Sequence, residues 1–191
     1  MFIEANANLR NECGCIEVIT GSMFSGKTEE LLRRLKRASY AHQGVALFKH
    51  ASDKRYSLTD VVTHDEQSFR AIAINNSSEI IPWLKQESVV AIDEAQFFDL
   101  ELAVVCNQLA NSGIRVIVAG LDMDFLGKPF GPIPELLANA DFITKLKAIC
   151  VSCGNLAHFS HRKSSENELI VTGAYNIYEP LCRFCYQKAM K

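Results

Sequence analysis

No apolar run in the 191 residues is long enough to span a bilayer, and residues 1–15 lack the apolar core of a secretory leader. Those absences predict a cytoplasmic protein. Charge of one sign is also scarce. The 20 Lys and Arg against 22 Asp and Glu leave a net charge of −2, which argues against broad, sequence-blind affinity for nucleic acid. No internal repeat or low-complexity tract is visible, which excludes a repeat architecture. Cysteine, by contrast, is plentiful: seven residues, which in a reducing compartment are thiols or metal ligands before they are disulfides. The chain is long enough for one full domain with a small appendage.

The stretch Gly21-Ser22-Met23-Phe24-Ser25-Gly26-Lys27-Thr28 fits the phosphate-binding pattern G-x-x-x-x-G-K-[ST] at every fixed position. Residues 16–20 before it read as a short strand, and residues 29–41 after it as a helix. Glycines let successive N–H groups curl toward phosphate oxygens, and the helix N-terminus adds the positive end of its dipole. In such a loop Lys27 reaches the β- and γ-phosphates of ATP, and the Thr28 hydroxyl ligates Mg²⁺.

The rest of the chain places this loop in an α/β fold. Residues 45–48, 89–94, 114–119 and 142–147 read as strands. Residues 79–85 read as a short helix with Pro82 in its first turn, and 99–112 as a longer one closed by Gly113. Strands alternating with helices predict a parallel α/β sheet. Leu31, Leu32 and Leu35 form the apolar side of the first helix. Arg33, Arg34, Lys36 and Arg37 are expected on a solvated face or a subunit contact. Residues 52–66 and 121–134 read as loops, the latter shaped by Gly, Pro and Phe. Residues 1–15 read as a loosely held arm whose Cys13 and Cys15 are unpaired thiols. We expect a nucleotide-binding domain over residues 1–148 and a zinc-binding lobe over 149–191.

Two further constellations carry chemistry. Val89-Val90-Ala91-Ile92-Asp93-Glu94 is an apolar run ending in two carboxylates, the pattern of a strand buried on both faces that delivers acids at its C-terminal edge. Asp93 is then the Mg²⁺ acid and Glu94 a general base for an attacking hydroxyl. The pairs Cys150-x-x-Cys153 and Cys182-x-x-Cys185 have zinc-site spacing, and four thiolates leave no open position, so the site is read as structural. His158 and His161 between the pairs read as surface residues. The apolar segment 169–175, also between the pairs, has two readings: a lid over a second substrate, or a mini-core beneath the zinc.

Taken together, Met23-Phe24-Ser25-Gly26-Lys27, Asp53-Lys54-Arg55-Tyr56, Thr63-His64-Asp65, Asp93-Glu94-Ala95-Gln96-Phe97-Phe98, Lys128-Pro129-Phe130-Gly131 and Tyr178-Glu179-Pro180-Leu181-Cys182 resemble the zinc-containing thymidine kinases of bacteria and the animal cytosol. The resemblance covers residues 16–188. It implies that the sheet is a P-loop, RecA-like one. It also implies transfer of the γ-phosphoryl of ATP to the 5′-hydroxyl of thymidine, with Mg²⁺ and structural Zn²⁺. Glu94 is the implied base, assisted by Lys27 and Arg55 at the phosphates. Nucleotide contacts are implied at residues 21–28 and at Asp93, Glu94, Ala95 and Gln96. Thymidine contacts are implied at Met23, Asp53, Phe97, Leu121, Phe125, Phe130, Leu169, Val171, Gly173 and Tyr178, with main-chain groups of residues 169–174 holding the base. A homotetramer inhibited by dTTP is implied as well. Ser22 and Ala174 depart from the family's usual proline and glycine. Two rival readings remain: a helicase-type P-loop ATPase, which needs a second lobe that one domain does not supply, and a zinc-ribbon module gripping nucleic acid through Arg183, Lys188 and Lys191, which Glu166, Glu168 and Glu179 oppose.

Overall fold

The structure is a computed structural model that describes residues 13–53, 69–163 and 177–190. Its centre is a six-stranded sheet whose neighbours are all parallel. The strands are β1 (Cys15–Thr20), β2 (Val45–His50), β3 (Ala71–Ile74), β4 (Val89–Asp93), β5 (Arg115–Gly120) and β6 (Phe142–Lys145). They lie in the order β3-β2-β4-β5-β1-β6. One strand, β5, therefore separates the strand that opens into the phosphate loop from the strand that ends in the two acids. That insertion is the RecA-like arrangement.

Apolar residues cover both faces, as a parallel sheet requires. On one side α1 (Lys27–Tyr40) lays Leu31, Leu32, Leu35 and Ala38 against Ile19, Ala91, Ile117 and Ala119. On the other, α3 (Leu102–Asn111) and α4 (Ile133–Asn139) pack Leu102, Cys106, Leu109, Ile133 and Leu136 against Val18, Ile92, Val116 and Val118. The short α2 (Ile80–Trp83), entered through a 3₁₀ turn at Ser77–Glu79, closes the β3 end and carries Pro82 within its single turn.

A smaller unit follows. β7 (Ala148–Ile149) pairs antiparallel with β8 (Leu156–Ala157), and β9 (Phe159–Arg162) with β10 (Tyr178–Leu181), which leads into α5 (Arg183–Ala189). Ala148, Ala157, Phe159, Leu181 and Tyr186 form its core, and Phe24 of the phosphate loop and Met123 pack against it.

Four expectations need correction, and one strand, β3, is absent from the sequence reading. Arg34 is not on a solvated face: it is fully buried, donating from Nη1 to Glu17 Oε2 at 2.6 Å, from Nε to Glu30 Oε1 at 2.9 Å and from Nη2 to Thr144 Oγ1 at 2.8 Å. A helical wheel built on hydropathy assigns any arginine to solvent, whereas this one answers a buried glutamate on β1. Cys15 does not belong to an arm but opens β1, and the Gly14 N–H donates to the Ala110 carbonyl at 2.7 Å. The loop after β5 ends earlier than expected, because Pro132 and Pro134 start α4 instead of prolonging a turn. The four-residue β3 was too short and too flanked by polar residues to register as a strand. His158 and His161 are half-buried rather than exposed, His161 lying 3.0 Å from Glu179.

Candidate active site

The phosphate loop leaves β1 at Thr20, whose hydroxyl donates to the Gly120 carbonyl at 3.1 Å, and turns into α1 at Gly26. Gly26 has φ +85° at the helix N-cap, a left-handed backbone that a side chain would strain. Phe24 adopts a left-handed φ of +63° without being glycine. Its packing against the small C-terminal core offsets that cost. Lys27, though 8% exposed, is held at its Nζ by the Ser22 carbonyl at 2.9 Å, so its ammonium sits inside the loop's own curve.

Across the sheet, Thr28 Oγ1 donates to Asp93 Oδ2 at 3.1 Å, and the Glu94 N–H donates to Asp93 Oδ1 at 2.9 Å. Burial, followed by the neighbouring Glu94 charge, pushes the Asp93 carboxyl well above the usual range. Thr28 Oγ1 and Asp93 Oδ2, two hard oxygen donors 3.1 Å apart, fit a Mg²⁺ ion. Glu94 follows with φ +52°, a left-handed backbone at the end of β4. Its Oε2 accepts from Gln96 Nε2 at 2.5 Å.

Lys27, Thr28 and Glu94 line one cleft of about 600 Å³, whereas Asp93 does not line it. Residues 23–29, Glu94 and Leu121 line it together with Val151, Lys163 and residues 178–180 of the smaller unit. The predicted residues Met23, Phe24, Ser25, Gly26, Lys27, Thr28, Glu94, Leu121 and Tyr178 are thereby brought together. Gly21 and Ser22 lie buried at the root of the loop. Asp53, Phe97, Phe125 and Phe130 do not line this cleft. Asp53 is buried at the end of β2, where its carbonyl lies 3.5 Å from Lys49 Nζ. Phe97 and Phe130 meet edge to face with centroids 6.0 Å apart. Phe125 carries the Arg162 guanidinium 3.5 Å over its ring, and its carbonyl accepts from the Tyr186 hydroxyl at 2.7 Å. Ala95 and Gln96, expected at the nucleotide, are 0% and 2% exposed and form a layer behind Glu94. Arg55, Leu169, Val171 and Gly173 lie outside the described residues.

Cys150, Cys153, Cys182 and Cys185 converge, with all four Sγ atoms within 4.8 Å of one another. Cys153 Sγ and Cys182 Sγ are 3.6 Å apart. Zn–S bonds of ~2.3 Å in a tetrahedron set sulfurs about 3.8 Å apart, so these thiols fit a Zn²⁺ ion. None of the seven cysteines is in a disulfide.

One contact had no signature in the sequence. The Met23 N–H donates to Ser160 Oγ on β9 at 2.9 Å. Ser160 is 5% exposed and joins the small unit to the tip of the phosphate loop. A serine in a polar strand gives no hint of this partner, 137 residues away in the chain.

The sequence profile described as Thymidine kinase matches residues 14–186. The chain belongs to the thymidine kinase family. Similar proteins include the thymidine kinase of Bacteroides fragilis (strain YCH46), 55% identical over 191 residues, covering 100% of this chain and 96% of that one. The thymidine kinase of Bacteroides thetaiotaomicron is 55% identical over 189 residues, covering 99% and 95%. That of Rhodothermus sp. (strain ITI 518) is 53% identical over 174 residues, covering 91% and 82%. Within this thymidine kinase fold no helix among the described residues is long and apolar enough to cross a membrane.

Proposed function

We propose that this protein transfers the γ-phosphoryl group of ATP to the 5′-hydroxyl of thymidine, giving dTMP and ADP. The observation that carries the reading is the single cleft in which Lys27, Thr28 and Glu94 face residues of the smaller unit, in a member of the thymidine kinase family. Residues 21–28 cradle the phosphates through main-chain N–H groups, and Lys27 exchanges the Ser22 carbonyl for phosphate oxygens. Thr28 and Asp93 are suited to hold Mg²⁺, which when bound neutralises charge on the transferring group. Glu94 takes the proton of the 5′-hydroxyl as that oxygen bonds to the γ-phosphorus. The bond from phosphorus to the β–γ bridging oxygen breaks, and its electrons leave with ADP. Arg55 assists at the phosphates.

We assign thymidine to Met23, Leu121 and Tyr178 along the cleft. Asp53, Phe97, Phe125 and Phe130, which do not line it, and Leu169, Val171 and Gly173, outside the described residues, are assigned to thymidine by the family resemblance alone. The four cysteines hold Zn²⁺ as a closed structural site in a lobe over residues 149–191, appended to a nucleotide-binding domain over residues 1–148. We take the enzyme to be a cytoplasmic homotetramer whose substrate pocket also accepts dTTP as inhibitor. The exposed Phe142 and Ile143 on the edge strand β6 support a subunit contact.

The test is incubation with Mg-ATP and a panel of nucleosides, reading 5′-monophosphates. Thymidine-dependent dTMP formation is expected, and Glu94→Gln should lower kcat by ~10²–10⁴ while leaving nucleotide binding intact. ADP release without any nucleoside monophosphate, stimulated by nucleic acid, would move the assignment to a helicase-type ATPase.

A further inference from the structure

We infer that Gln96 is a positioning residue that fixes the Glu94 carboxylate against the tip of β5, rather than a contact to the nucleotide. The inference rests on the reading of Glu94 as the base. Gln96 is 2% exposed, and both ends of its side-chain amide are engaged. Its Oε1 accepts the Leu121 N–H at 2.9 Å, and its Nε2 donates to Glu94 Oε2 at 2.5 Å. The first contact decides the second. Leu121 N–H is a donor and needs the carbonyl end, so the NH₂ end must face the carboxylate; a flipped amide would set donor against donor and acceptor against anion.

The surroundings leave Gln96 little freedom to turn. A Cβ on Gly120 would lie 3.0 Å from Gln96 Oε1 and 2.6 Å from Ile133 Cδ1. A Cβ on Gly131 would lie 2.3 Å from the Gln96 carbonyl oxygen, and Gly131 also has φ +53°. Two glycines on separate segments thus clear space for one glutamine. Glu94 itself leaves the strand through a left-handed backbone at φ +52°, ψ +41°, so the end of β4 alone does not dictate where its carboxylate lies. Anchoring Oε2 sets the rotation of the carboxylate about its last torsion, and hence the direction of the other oxygen. Glu94 and Leu121 both line the cleft, so Gln96 also fixes the spacing between the proton acceptor and a second cleft residue.

Nucleotide contact and positioning predict different kinetics. Gln96→Met removes both hydrogen bonds at similar volume. Gln96→Glu keeps the acceptor for Leu121 and replaces the donor to Glu94 by oxygen. Both variants are measured in steady-state kinetics with thymidine and ATP, with equilibrium binding of a non-hydrolysable ATP analogue and thermal melting on the same samples. Positioning predicts a kcat loss of ~10–10² for each variant, of the size expected when a reacting group is misplaced by about an ångström, with both KM values and analogue affinity within about threefold of wild type. It also predicts that adding Gln96→Met to Glu94→Gln produces no further loss. A raised KM for ATP at unchanged kcat would overturn the inference in favour of a nucleotide contact. A loss of the same size in the Glu94→Gln background would overturn it too. Undiminished turnover of Glu94→Gln alone would instead remove the base assignment, whereas an inactive Glu94→Gln beside fully active Gln96 variants would remove only the positioning role.

Discussion

Arg33 and Arg34 are adjacent in sequence, of identical chemistry, and both bonded to Glu30, yet the structure assigns them different energies. Arg33 is half-exposed at its side chain and pairs with Glu30 at 2.7 Å. A solvent-screened pair of that kind contributes ~0.2–1 kcal/mol. Arg34 is 0% exposed, and Glu17, its second partner, is 2% exposed and shared with Arg115 at 2.6 Å. Arg34→Met leaves the buried Glu17 Oε2 without that donor and removes the bond to the half-buried Thr144, a defect that typically costs ~3–5 kcal/mol. At ~2–4 °C per kcal/mol for a domain of this size, Arg34→Met should melt about 6–20 °C below wild type, and Arg33→Met no more than about 4 °C below it. Circular dichroism melts and urea titrations of the two variants side by side make the comparison. If the variants lie within about 1 kcal/mol of each other, the guanidinium of Arg34 is solvated in practice and the buried network is not what locks α1 to β1 and β6.

Removal of zinc by a chelator, or Cys153→Ser, should unfold the small unit and weaken ATP binding, read by calorimetry with the analogue; unchanged affinity would separate the two halves energetically. Ser160→Ala should raise KM for at least one substrate by a few-fold without lowering the melting temperature beyond the ~0.5–1.5 kcal/mol of one hydrogen bond. The Arg33 and Arg34 hydrogen bonds hold the Glu30 carboxyl down at about 2 from 4.5, with burial opposing them. Its folded value is depressed, so its contribution to stability is complete above pH 4.5 and is lost as pH falls toward 2. Glu30→Gln should therefore flatten the fall in urea stability between those limits, and an unaltered slope would assign the acid transition to other carboxylates.

What was legible in the sequence was whatever is encoded locally. The loop at residues 21–28 lies between a strand and a helix, the apolar run ending at Asp93 is a buried strand, and the two cysteine pairs converge, each as its local pattern implied. Partners distant in the chain left no mark. Glu17 alternates with apolar neighbours as any strand residue does, and only folding brings Arg34 and Arg115 onto its two oxygens. Gln96 belongs to a recognisable motif, but its motif suggests the nucleotide, whereas its amide is spent on Leu121 and Glu94. Short elements such as β3 and α4 were hidden because tertiary packing, not propensity, stabilises them.

The two halves of the molecule meet at the phosphate loop, which is gripped from opposite sides. From below, Arg34 ties α1, the helix that carries Lys27 and Thr28, to Glu17 on β1 and Thr144 on β6. From above, Ser160 accepts the Met23 N–H, and Phe24 is drawn out of the loop into the core that the cysteines close. Phe24 holds a left-handed backbone, a conformation that persists only when neighbours over-determine it. Phe24 packs against the core of the small unit, so the curvature of the loop is coupled to that unit. The four thiols that converge in that unit do not line the cleft. They are linked to the loop through Phe24, which packs against the core that Cys150, Cys182 and Cys185 join.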